Sequence, residues 1–349
     1  MCSDSNKHKG EKQLATIKEV AELAHVSVAT VSRVLNGSPS VSPKSTAKVI
    51  NAIHKLNYAP NLTARNLRRN ESRSILVFIP RLSNPYYYSI LEGISGTARQ
   101  LDYSAYICNL EHDPQQEEIL LHTIQNRRAD GIIFLFCNQD DIWLKKYIGT
   151  FPMIFCSEYV ESLDAPYVGI NNFQAAYDAV QHLIADGHQK IGMITNQNGF
   201  ISTTQRYQGF CQALNDNNLL FRRDYIVYAS TDYSFESGTE AAKKLLTLPD
   251  PPTAIFCISD RLALGALSAA SELGISIPEQ LSVWGFDDLE FVHMFHPHLS
   301  TVSQPCYEIG KTAMLHLHQS MTGNASFETH TILPHRLIER ESSGVYGGK

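Results

Sequence analysis

The chain has 349 residues, which at roughly 150 residues per domain predicts two or three domains. Apolar residues make up 43% and charged residues 18%, so a disordered chain is excluded, and no apolar run is long enough to span a bilayer. The net charge of −6 hides a division: residues 1–73 carry 12 Lys/Arg against 5 Asp/Glu, a net of +7, and the other 276 carry 17 against 30, a net of −13. A basic module on an acidic body predicts a polyanion contact at one end, with a merely solvated basic face as the alternative.

The first residues are polar, with Lys7, Lys9 and Lys12 and no apolar segment behind them, so no secretory signal is expected. The seven cysteines stand singly and form no C-x-x-C pair. They read as reduced thiols of a cytoplasmic protein. Residues 1–14 read as a disordered leader.

Three short helices are expected between residues 15 and 59. Thr16-Ile17-Lys18-Glu19 has capping-box form and opens the first, His25-Val26 turns, and Ser27 caps the second, with Val28, Val31 and Leu35 at helical spacing. Asn36-Gly37 stops it, and Ser42-Pro43 starts a third helix that runs to about Leu56. Residues 60–73 form a connector. Asn61 can cap the segment from Leu62 to Arg68, which is too short to be a stable helix alone and carries Arg65, Arg68, Arg69 and Arg73 around it.

From Ser74 onwards strands and helices alternate. Apolar runs fall at Ile75–Ile79, Ala105–Cys108, Ile132–Phe136, Met153–Phe155 and Val168–Ile170, then again at Ile191–Ile194, Tyr225–Tyr228, Ala254–Ile258 and Ser282–Phe286. Near-continuous apolar strands with crossover helices predict parallel sheets covered on both faces. The 276 residues are too many for one such sheet and fit two lobes.

The strongest motif is TIKEVAELAHVSVATVSRVLN, Thr16 to Asn36. Two short helices around a tight turn fit a helix-turn-helix, with a small helical cap domain as the alternative. On the first reading Val28, Ala29 and Thr30 begin the recognition helix, Ser32 and Arg33 follow, and the arginine can pair with a guanine edge. The body adds Ser83-Asn84-Pro85-Tyr86-Tyr87, Asp130-Gly131-Ile132-Ile133, Gly187-His188-Gln189-Lys190-Ile191-Gly192, Arg206-Tyr207-Gln208-Gly209-Phe210, Ser259-Asp260-Arg261-Leu262-Ala263-Leu264-Gly265, Gly285-Phe286-Asp287-Asp288 and Ser303-Gln304-Pro305.

This ordered set resembles the lactose/galactose repressor (LacI/GalR) family of bacterial transcription regulators. Further strings, among them Arg69-Asn70-Glu71-Ser72-Arg73, Glu111-His112-Asp113-Pro114 and Tyr307-Glu308-Ile309-Gly310, look most like the family's cytidine-responsive branch. The resemblance implies an α/β fold: an N-terminal helix-turn-helix domain (15–59), a hinge (60–73) and a two-lobed periplasmic-binding-protein-like body. The first lobe would comprise 74–171 with 302–349, and the second 172–301.

The resemblance also implies a homodimeric repressor on operator double-stranded DNA, released by a nucleoside such as cytidine, with the cyclic-AMP receptor protein as a further partner. The expected DNA contacts are Thr16, Ser27, Val28, Ala29, Thr30, Ser32, Arg33 and Asn36. In the hinge they are Asn61, Ala64, Leu67 and Arg68, with Leu67 wedged between minor-groove base steps; packing of Leu67 on the body is the alternative. The implied effector residues are Tyr86 and Tyr87 on one lobe, Arg206 and Asp287 on hydroxyls, and Tyr233 stacked on a base. Lobe-core packing for the tyrosine pair and a loop or helix-cap role for Asp287 remain open. Asn171-Asn172 replaces the family's usual Asp-Asn, which removes a charge at the first-lobe strand end.

No cofactor, metal or catalytic constellation is expected. The clustered His293, His296 and His298, and the pair His316 and His318, read as surface histidines without carboxylate partners. Three rivals remain: a sugar-responsive repressor, a solute-binding protein, and a cytoplasmic nucleoside or sugar enzyme. Missing phosphate-binding glycine loops count against the enzyme, and residues 1–73 count against the solute binder.

Overall fold

The computed structural model describes residues 15–58, 71–109, 118, 121–122, 124–126, 128–324 and 328–347. The chain divides into two compact units, Met1–Ser72 and Arg73–Lys349. Asn61, Ala64, Leu67 and Arg68 lie outside the described residues.

The first unit contains α1 (Ile17–Ala24), α2 (Val28–Leu35) and α3 (Pro43–Leu56). The capping box forms: Glu19 N–H donates to Thr16 Oγ1 at 3.3 Å, and Thr16 N–H donates to Glu19 Oε2 at 2.6 Å. The bonds donated to its Oε2 by Thr16 N–H and by Thr16 Oγ1, the latter at 3.0 Å, hold the Glu19 carboxyl below its usual range. His25 ends α1 in the left-handed region, at φ 52°, so the chain turns at once into the next helix. Ser27 caps α2 by accepting from Thr30 N–H at 3.1 Å, and Ser42 caps α3 with Pro43 in its first turn. Val20, Ala21, Ala24, Val31, Val49 and Ala52 form the core between the helices.

The second unit is built on two six-stranded sheets. In chain order the strands are β1 (Ser74–Ile79), β2 (Ser104–Asn109), β3 (Gly131–Phe134), β4 (Met153–Cys156), β5 (Tyr167–Ile170), β6 (Ile191–Thr195), β7 (Ile226–Tyr228), β8 (Ala254–Cys257), β9 (Ser282–Asp287), β10 (Ser300–Ser303), β11 (His330–Leu333) and β12 (Arg336–Ile338). The first sheet has the order β11-β5-β4-β3-β1-β2 and is parallel throughout. The second has the order β12-β10-β9-β8-β6-β7 and is parallel except for the β10–β12 pair. The central strands are fully buried, as their unbroken apolar runs require.

The helices α4 (Tyr86–Gln100), α5 (Asn172–Ala185), α6 (Ile201–Asp216), α7 (Phe235–Leu246), α8 (Asp260–Glu272) and α9 (Cys306–Met321) cover the sheets. They pack in pairs, α4 on α9, α5 on α6 and α7 on α8. Glycine allows the closest approach: a Cβ on Gly310 would lie 2.0 Å from the Ile90 carbonyl oxygen, and one on Gly93 would lie 2.2 Å from that of Tyr307.

The lobe boundaries expected at 302 shift. β10 belongs to the second sheet, α9 and β11 return to the first, and β12 crosses back to pair with β10. The tail then stays with the second lobe, where Ser342 Oγ donates to the Val283 carbonyl at 2.6 Å and Arg340 Nη1 to that of Leu299 at 2.7 Å. These last strands are only three or four residues long, and β11 and β12 have exposed positions, so they leave little apolar signal.

Candidate functional site

On the N-terminal unit, Val31 is fully buried, which turns the opposite face of α2 outward. Val28, Ala29, Arg33 and Asn36 are exposed, and Thr30 and Ser32 are half-buried. That face carries an apolar tip, a hydroxyl and a guanidinium, which suit a thymine methyl and a base edge. Thr16 and Ser27 are also exposed, but their hydroxyls already cap helices. Asn36 Nδ2 donates to the Ser32 carbonyl at 2.8 Å, so part of its amide is committed to α2.

In the body, parallel strands bring the C-terminal ends of both sheets to one cleft, where α/β proteins bind small ligands. A cavity of about 250 Å³ is lined from the loops after β1, β6 and β7, by Arg81, Asn84, Tyr87, Asn198, Phe200 and Tyr233 among others. A smaller pocket of about 30 Å³ shares Asn84, Tyr87, Phe200 and Tyr233 and adds Tyr86, Glu158, Ser202, Arg206, Arg261 and Asp287. All five expected effector residues therefore line this cleft.

Each is held by its own element. Asn84 Oδ1 accepts from Tyr86 N–H at 3.2 Å and sets the start of α4. Tyr86 OH donates to Ser157 Oγ at 2.9 Å, and its ring meets that of Tyr87 edge-on at 5.2 Å. Tyr87 belongs to the buried core as well as to the cleft, so the packing alternative holds alongside the site. Tyr233 OH accepts from Asn198 Nδ2 at 2.7 Å. Tyr233 at φ 54° and Asp287 at φ 119° both occupy the left-handed region, where non-glycine residues are uncommon and cluster at ligand sites.

The Arg206 guanidinium sits over the Phe286 ring, its Cζ 3.6 Å from the centroid. Its Nε donates to Asn172 Oδ1 at 2.9 Å and its Nη1 to the Ile258 carbonyl at 2.6 Å. Asp287 Oδ1 lies 4.0 Å from Nη1 and accepts from Gln304 Nε2 at 2.7 Å. Burial pushes the Asp287 carboxyl up to about 7, outweighing the pull of Arg206 and Gln304. Asp287 is therefore a cleft carboxyl, whereas Asp288 turns away to Arg340 Nη2 at 2.7 Å.

Asn171 caps α5 by accepting from Gln174 N–H at 3.0 Å, and it is the neighbouring Asn172 that supports the cleft through Arg206. Sequence reasoning missed Glu158 and Ser202 as cleft residues and Gln304 as the partner of Asp287. Gln304 lies in the Ser303-Gln304-Pro305 string, but Glu158 has no motif or spacing that could reveal it. Of the expected surface histidines, His293 and His296 are exposed but do have carboxylates beside them, and His298, His316 and His318 are half-buried. His296 Nδ1 is 3.3 Å from Glu341, which the returning tail brings to this loop, and His293 Nε2 is 3.9 Å from Asp288 of the same loop. The six described cysteines are free thiols. Among the described residues no helix is long and apolar enough to cross a membrane.

Residues 16–61 match the family described as bacterial regulatory proteins, lacI family, and residues 180–343 match a periplasmic binding protein-like domain. The chain is 38% identical over 338 residues to the HTH-type transcriptional repressor CytR of Escherichia coli (strain K12), covering 97% of this chain and 98% of that protein. It is 36% identical over 330 residues to catabolite control protein A of Priestia megaterium, covering 94% and 99%. The structure of the Lac repressor dimer bound to operator and the anti-inducer ONPF superposes with a TM-score of 0.87 at 28% identity, covering 95% and 99%. These relatives are transcription regulators, not enzymes. The chain belongs to the lacI family of bacterial regulatory proteins and is a DNA-binding transcriptional repressor, with its helix-turn-helix in α1 and α2 and its effector domain in the two-lobed body.

Proposed function

We propose that this repressor answers to a pyrimidine nucleoside such as cytidine, which binds between the lobes and releases a homodimer from operators of nucleoside uptake and catabolism genes. One observation carries the reading: the aromatic rings of Tyr87 and Tyr233 share a cleft with the Arg206–Asp287 pair. A nucleoside has a flat base for the first and ribose hydroxyls for the second. DNA contact falls to Val28, Ala29, Thr30, Ser32 and Arg33, with Leu67 of the hinge as the minor-groove wedge. The direction of the response follows the resemblance to inducer-released regulators.

Calorimetry with cytidine, beside operator titration with and without it, tests the reading. The expected result is saturable cytidine binding and weaker operator affinity in its presence. Tight binding of a sugar with no nucleoside binding would leave a sugar-responsive repressor instead.

A further inference from the structure

Glu158 is buried in the cleft, 6% exposed, and makes no ion pair among the described residues. A buried acid without an ion pair is costly; the hydrogen bonds it receives come from the start of α6, and the Arg206 charge eases the cost without a direct contact. Glu158 follows β4 in the first lobe, whereas α6 belongs to the second. Ser202 N–H donates to Oε2 at 3.1 Å, and Ser202 Oγ donates to Oε1. The carboxylate thus bridges the lobes in the pocket that Tyr87, Tyr233, Arg206 and Asp287 also line.

Each carboxylate oxygen keeps a lone pair beyond its bond to Ser202, so an ionised Glu158 can only accept. It therefore calls for a donor on the ligand. With Arg206 and Asp287 assigned to the ribose and Tyr233 to the base face, Glu158 is a buried acceptor of the same pocket left for a polar edge of the base. We propose that Glu158 sets effector specificity by accepting a hydrogen bond from the exocyclic amine of the base, which favours an amino-pyrimidine over an oxo-pyrimidine. This rests on the nucleoside reading above and names the feature of the base that is read. At the same ring position cytidine carries an amine and uridine a carbonyl oxygen; a carboxylate attracts the first and repels the second. Burial raises the Glu158 carboxyl to about 7 while the bonds from Ser202 and the Arg206 charge oppose that rise. At pH 8 the acceptor form therefore prevails.

The test is calorimetry of the full-length protein at pH 8 with cytidine, uridine and N4,N4-dimethylcytidine, which has no amine hydrogen. The native chain should prefer cytidine to uridine by about tenfold or more, and the dimethyl compound should bind no better than uridine. In Glu158→Gln the amide can turn its oxygen to an amine or its nitrogen to a carbonyl, so the preference should shrink to within about threefold. A cooperative melt at or above the native temperature, with operator still bound, would show that this variant is folded. Equal binding of cytidine and uridine by the native chain, or a preference that survives in Glu158→Gln, overturns the Glu158 assignment while the nucleoside reading stands. Binding of neither nucleoside by the native chain overturns both. If the variant fails to fold, the three ligands on the native chain still decide whether an amine hydrogen is read, and equal binding overturns the proposal.

Discussion

Replacing Asp287 with Asn removes a charge with almost no change in shape. Asn tolerates the left-handed backbone at φ 119° as Asp does, and its oxygen can still accept from Gln304 Nε2, now at 2.7 Å. The folded carboxyl is raised from 3.8 to about 7, so the native state holds a proton that the unfolded chain has lost between those values. Stability from this group is full below the unfolded value and falls as pH rises through the folded one. The cost at pH 8 is at most on the order of 4 kcal/mol, at about 1.4 kcal/mol per tenfold. Asp287→Asn should therefore melt higher than the native protein at pH 8, by roughly 2–4 °C per kcal/mol recovered, and melt alike near pH 4. The same change deletes a charged acceptor from the effector site and should weaken cytidine binding by about 1.5–3 kcal/mol, or roughly 10- to 150-fold. Melting curves at both pH values and calorimetry at pH 8 measure the two effects. If the variant melts lower than native at pH 8, the Arg206 attraction outweighs burial and the electrostatic reasoning fails. Unchanged cytidine affinity would remove Asp287 from the site.

Three further outcomes address the DNA-binding half. Arg33→Ala should relax base preference at one operator position, whereas Arg68→Ala should weaken all sequences alike; competition binding against a panel of operators separates them, and an identical uniform loss in both refutes the division of roles. Leu67→Ala should lower operator affinity and leave the melting of the body unchanged, while normal binding with earlier melting would make Leu67 a packing residue. Ser27→Ala removes the hydroxyl that caps α2 and should cost the N-terminal unit about 1 kcal/mol, read as faster amide exchange in α2 of the full-length protein.

The local signals proved dependable where one short stretch of chain decides the outcome. Thr16, Ser27 and Ser42 cap the helices they were expected to cap, because a cap needs only a hydroxyl and the amides three residues on. The nine apolar runs became strands within a few residues. Their ends moved at Phe136, which lies beyond the β3 terminus at Phe134, and at Tyr225, which closes a 3-10 turn before β7. The five effector candidates came from the family resemblance, and their meeting in one cleft is a property of the fold.

Caps, strand runs, the basic N-terminal module and the family motifs are therefore properties of the sequence by itself, since each depends on neighbours within a few residues or on composition. The path of the tail is not. β11, β12 and the Arg340–Asp288 contact depend on pairing between segments far apart in the chain, and the short strands bury too little to leave a pattern. The same holds for Glu158: nothing beside it in the chain marks it, and only the approach of α6 from the second lobe to the end of β4 in the first makes it a buried, bridging carboxylate. Packing of the two lobes sets its solvent exposure and hence its proton affinity, and no local sequence feature carries that information.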